Sequence, residues 1–149
     1  MKNLFEPATT EEVKQRMARL KPDSERQWGK MRPAQALAHC SVGMEVSVGL
    51  KFPSRNLIGR LIGRRVLKTF LAGKPFPRNS PTDKSYVVKD ERDFSVERQR
   101  LLELIDRFAG EGPAGCTNHP HSFFGHLTPQ EWAALNYLHL DHHLRQFGV

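Results

Sequence analysis

Cysteine is scarce in this chain of 149 residues: Cys40 and Cys116 are the only two, far apart, and no disulfide framework follows from them. Also missing are an N-terminal apolar region followed by a cleavage site and any uninterrupted apolar stretch approaching a membrane span. These absences lead us to expect a cytoplasmic protein with reduced thiols. No internal repeat, low-complexity tract or convincing strand alternation is present, so an all-α class is expected. With 38% hydrophobic residues the chain can fill one core of ordinary size but not two, which makes residues 1–149 a single domain.

Positive charge is what the chain has in excess. A net charge of +7 favours anionic partners, whether nucleic acid, a lipid surface or a small charged substrate, and charge alone does not choose among them. No groove-reading motif accompanies the basic residues, which argues against nucleic acid.

Five stretches carry a helical period. Thr9 and Glu12 form a candidate capping box for a helix ending near Leu20, and Pro33 suits the first position of a second helix reaching about Gly49. Another follows Asp93, with Leu101, Leu104, Ile105 and Phe108 as its buried stripe before Gly110 and Gly112 stop it. The last has the strongest start, Thr128, Pro129 and Glu131. Between the second and third of these core helices, Arg55 to Leu71 reads as an inserted amphipathic helix. Its apolar residues are Leu57, Ile58, Leu61, Ile62 and Phe70, and Arg60, Arg64 and Lys68 recur at i, i+4 and i+8. We read the cationic stripe as a solvated face over a packed one. Close helix packing, within the chain or across a homodimer, explains Gly59 and Gly63, while the arginines exclude a lipid-buried span. A Pro-rich connection from Ala72 to about Glu91 is long enough to form a mouth or lid. The architecture expected is a four-helix bundle with an additional helix inserted between core helices 2 and 3.

The terminal run His139-Leu140-Asp141-His142-His143 places two imidazoles one turn apart on one helix face, which is metal-ligand spacing. His39 lies midway along a helix of small and apolar residues, where it can face His139 and His143 across the bundle interior. Three neutral nitrogen donors would leave coordination positions open, as catalytic sites require. His142 points outward or supports a neighbour. Gly43, one turn beyond His39, leaves room for an ion or substrate, with Val42 and Val46 walling it. Gln35, Asn136 and Gln146 stand where they can orient the imidazoles. Glu45 and Asp141 are near in sequence, but neither is assigned as a general base. Cys40 reads as a small core residue. The group Cys116, His119, His121 and His126 fits no closed zinc site, although His121 or His126 can reach the pocket mouth.

Several of these residues together resemble the DinB/YfiT-like superfamily of four-helix metal-dependent enzymes, which includes thiol S-transferases. The resemblance covers nearly the whole chain and rests on four features: Trp28, the Gln35-Ala36-Leu37-Ala38-His39 run, the Phe123-Phe124-Gly125 lead-in to Thr128-Pro129, and the stretch from His139 to Gln146. It implies His39, His139 and His143 as ligands of a divalent metal, commonly nickel or zinc. Such an ion would acidify a bound water, toward a pKa of about 7 for zinc, or a bound thiol. Hydrolysis of a small substrate and transfer to a low-molecular-weight thiol are the two reactions that follow. The basic insert would attract an anionic cosubstrate if it lies at the mouth. The alternative is a non-catalytic helical bundle that binds an anionic partner through its basic inserted helix.

Overall fold

In a computed structural model describing residues 1–149, the chain is all-helical: α1 (Pro7–Arg19), α2 (Pro33–Ser47), α3 (Leu57–Leu71), α4 (Phe94–Glu111) and α5 (Pro129–Gln146). Single 3-10 turns at Lys84–Tyr86 and Gly112–Gly115 interrupt the two long connections, and an isolated bridge joins His121 to Gly125. No strand forms.

α2 is the central element. Thirteen of its fifteen residues are buried, because it is built almost wholly of small and apolar side chains and is covered by both α4 and α5. α1 closes the other side of α4 and α5. α4 buries Leu101, Leu104, Ile105 and Phe108, the stripe its period predicts, and Phe108 stacks on Phe5 at 5.1 Å. Burying a side chain of this size contributes roughly 1.5–3 kcal/mol. Asp93 caps α4 by accepting from Val96 N at 2.9 Å, and Gly112 ends it at φ 60° and ψ −152°, a conformation open essentially to glycine alone, while Gly110 remains helical. The Thr128–Glu131 capping box of α5 forms in both directions.

The predicted cap of α1 does not form. Pro7, whose fixed φ suits the first helical position, starts the helix two residues before Thr9. Thr9 and Thr10 are therefore inside the first turn and buried, donating to Glu6 Oε2 and Leu4 O at 2.9 Å each. Glu12 pairs with Lys2 instead.

α3 departs further from the sequence reading. Its packed stripe is Gly59, Gly63 and Leu67, while Leu57, Ile58 and Leu61 are 77%, 65% and 82% exposed. The glycines decide this orientation, since the Phe123 backbone runs so close that a Cβ at either position would overlap its carbonyl oxygen. The close packing expected of these glycines is thus realised inside the chain. Asn56 caps the helix by accepting from Gly59 N at 2.6 Å, and among the α-helices α3 contacts only α5.

Candidate metal centre

His39 is brought inside because α2 is buried on nearly every face; the residue is 5% exposed. α5, whose first turn is fixed by the capping box, presents His139 and His143 to it one turn apart. The three rings form a near-equilateral triangle, with centroids 4.7, 4.7 and 4.9 Å apart and planes inclined at 74–79°. One nitrogen from each ring lies within 4.8 Å of the other two. Nitrogens bonded tetrahedrally to zinc at 2.0–2.1 Å stand about 3.4 Å apart, so small ring rotations suffice for the trio to grip an ion.

Hydrogen bonds fix the three tautomers, two of them through protein acceptors outside the trio. His39 Nδ1 is 2.9 Å from the carbonyl of Tyr86, which only accepts, so Nδ1 carries the proton and Nε2 turns a lone pair to the centre. Gln146 Nε2 donates to Trp28 O at 2.8 Å, which orients its amide so that Oε1 accepts from His143 Nδ1 at 2.9 Å. His143 Nε2 is then also an unprotonated donor atom. His139 Nε2 sits 2.8 Å from His39 Nε2, and facing a lone pair it must supply the proton of that hydrogen bond. An entering cation competes with this single proton.

Burial first, and the neighbouring rings second, keep the centre neutral. The ring of His143 is held at about 3, that of His139 well below its ordinary value, and that of His39 lowered despite the opposing Tyr86 hydrogen bond. Neutral imidazoles are the form a metal ion takes up.

Of the three residues expected to orient the imidazoles, Gln146 alone does so. Gln35 accepts from Arg32 N and donates to the carbonyls of Lys89 and Asp90, tying down the start of α2, and Asn136 donates to Ser47 Oγ. The room anticipated beside Gly43 is occupied by the His139 ring, since a Cβ at 43 would lie 3.1 Å from its Nδ1. Glycine there admits a ligand, not a substrate. Glu45 is turned away: burial would raise its pKa, but Lys51 and Arg100 hold it below the ordinary carboxylate value. Asp141 pairs with Arg16 at 2.7 Å and with Arg145 at 3.0 Å. Neither carboxylate reaches the histidines as a base.

His142 supports the site from its edge, with its ring between those of Trp28 (5.5 Å) and His143 (5.1 Å) and near Phe76 (5.9 Å). Arg78, exposed, lies over Trp28 at 4.4 Å. Arg64 is bound elsewhere, to Glu131 in the first turn of α5 at 2.9 Å. No motif or spacing pointed to Phe76, Arg78 or Tyr86; Tyr86 acts through its backbone carbonyl, which every residue has.

The second group disperses. His119 Nε2 donates to Pro53 O at 3.2 Å, burial pushes the Cys116 thiol up to about 11, and His121 Nδ1 accepts from the amides of Phe123 and Phe124. Burial lowers His121 to about 4, and its ring packs on Tyr86 and Trp132, one residue removed from the centre. Cys40 is buried in the core with its thiol pushed up by desolvation.

No curated protein and no solved structure matches the chain. Residues 4–148 match the family described as "Protein of unknown function (DUF1569)", and the chain belongs to that family.

Proposed function

We propose that the chain is a cytoplasmic metal-dependent enzyme of the DinB/YfiT-like type, a hydrolase or a low-molecular-weight-thiol S-transferase, with a nickel or zinc ion on His39, His139 and His143. The observation that carries this reading is the convergence of three neutral imidazoles, two buried and one half-buried, two of them oriented by protein acceptors on their outer nitrogens. Outer-nitrogen hydrogen bonds that turn ring nitrogens toward a common centre are the arrangement that orients metal-ligating histidines. The four-helix reading is supported by the packing of α2 and α1 against α4 and α5, whereas α3 touches no other helix than α5.

A divalent ion on three neutral ligands keeps its double positive charge and would lower the pKa of a water or thiol beside it. The residues do the rest. Tyr86 and Gln146 hold the ligand tautomers, while Phe76, His142 and Trp28 form an aromatic rim. Arg78 places a cation there for an anionic small-molecule substrate.

The test is turnover of the nickel- or zinc-loaded protein against activated esters, and against an electrophile with a panel of small thiols. Activity that is lost with a chelator and in His139→Ala supports the reading. Turnover that survives both would exclude the histidine centre as its source.

A further inference from the structure

Between Glu45 and Asp83 the sequence contains no acidic residue. That stretch holds eight of the 23 Lys and Arg residues and none of the 16 Asp and Glu, so the rest of the chain carries 15 basic against 16 acidic side chains. The whole excess of positive charge therefore resides in one segment, and α3 is its centre. The same segment holds six of the nine large apolar side chains left exposed. Leu50, Phe52, Leu57, Ile58, Leu61 and Ile62 are 52%, 62%, 77%, 65%, 82% and 42% exposed.

On α3 these two features share a face. Leu57, Ile58, Leu61 and Ile62 fill the outward side of the first turns, and Arg65 and Lys68 continue that side toward the C-terminus. The inward side is committed to Gly59, Gly63 and Leu67 against the Phe123 backbone, so the helix cannot roll its leucines into the protein. Arg64 is paired with Glu131, but Arg60, Arg65 and Lys68 are exposed and engaged by no carboxylate.

We propose that α3 docks the protein on an anionic lipid surface, lying in the interface plane with Leu57, Ile58 and Leu61 among the acyl chains and Arg60, Arg65 and Lys68 among the headgroup phosphates. Charge complementarity selects this occupant. A second copy meeting α3 with its own α3 would oppose cation to cation with no acid on either helix. A nucleic acid would neutralise the cations and leave the leucines in water. An anionic bilayer satisfies both halves of the face. The helix has fifteen residues and cationic side chains, and no helix of the chain is long and apolar enough to cross a membrane, so the contact is peripheral.

The test is sedimentation of the full chain with vesicles of phosphatidylcholine alone and of phosphatidylcholine mixed with phosphatidylglycerol. Binding should be at least about tenfold tighter to the anionic vesicles. The double substitution Ile58→Asn/Leu61→Asn, which keeps every charge, should weaken it about tenfold or more. Arg65→Gln and Lys68→Gln should each weaken it about fivefold. All four residues are exposed, so thermal melting should show the variants folded. The proposal is overturned by failure to bind either vesicle, by anionic binding that Ile58→Asn/Leu61→Asn leaves intact, or by a solution dimer that the same double substitution dissociates. None of these readouts depends on a metal.

Discussion

The α2–α5 interior and the outer face of α3 invert the usual placement of side chains, in opposite directions. In the interior His39 and His143 are buried and His139 half-buried among Leu, Val and Met side chains; on α3 Leu57, Ile58 and Leu61 stand in water. Each inversion has an identifiable local cause. Inside, the Tyr86 carbonyl and the Gln146 amide satisfy outer ring nitrogens that would otherwise be costly to desolvate. Outside, two glycines buy a backbone approach that no larger residue permits, and the leucines are excluded from the contact as a result. Neither region follows from hydrophobicity alone.

Removing one ring should have the largest effect on this comparison. His139→Ala should reduce divalent-metal affinity by more than about 100-fold, and Gln146→Leu, which leaves the His143 ring free to turn, by about 10–100-fold. Calorimetric titration with zinc and nickel measures both. An unchanged affinity in either variant would break the account of the interior.

Stability separates the two kinds of leucine. Leu101→Ala, in the packed stripe of α4, should cost about 2–5 kcal/mol, whereas Leu61→Asn on the outer face of α3 should change stability by no more than about 0.5 kcal/mol. Between them falls Gly63→Ala, at about 1–3 kcal/mol, because the obstructing atom is Phe123 backbone that cannot rotate aside. Urea unfolding monitored by circular dichroism places the three in order.

Mild acidity should act first on the buried histidines. The folded protein holds His39, His139 and His143, and with them His121 and His142, below their ordinary value of 6.5, so between that value and their folded values the unfolded chain binds more protons. Stability is then full above about pH 6.5 and falls as pH drops, a window that extends for His143 down to about 3. Each such histidine adds a slope of about 1.4 kcal/mol per pH unit. Urea midpoints of the metal-free protein between about pH 7 and pH 5 should show this loss, less steeply in His143→Gln.

The helices themselves were legible where capping and period agree, as in α4 and α5, and the trio was legible because His139 and His143 carry a fixed spacing while His39 stands alone among apolar residues. Other features were not. Thr9 and Glu12 spell a capping box, but Pro7 sets the helix start first. Leu57, Ile58 and Leu61 spell a buried stripe, but a helix with glycine on one face can pack more closely there than a leucine face allows. Tyr86 was invisible because its contribution is a carbonyl, and Gly43 was misread as open room because the ring that fills it comes from residue 139, far along the chain.

The central claim is that His39, His139 and His143 form one metal centre, and elemental analysis tests it most directly. The protein is purified without a polyhistidine tag and reconstituted with nickel or zinc, beside His39→Ala and His143→Ala. The account predicts close to one divalent ion per chain, lost in both variants. A protein that retains no ion after reconstitution, or one that binds equally well without either histidine, would contradict it.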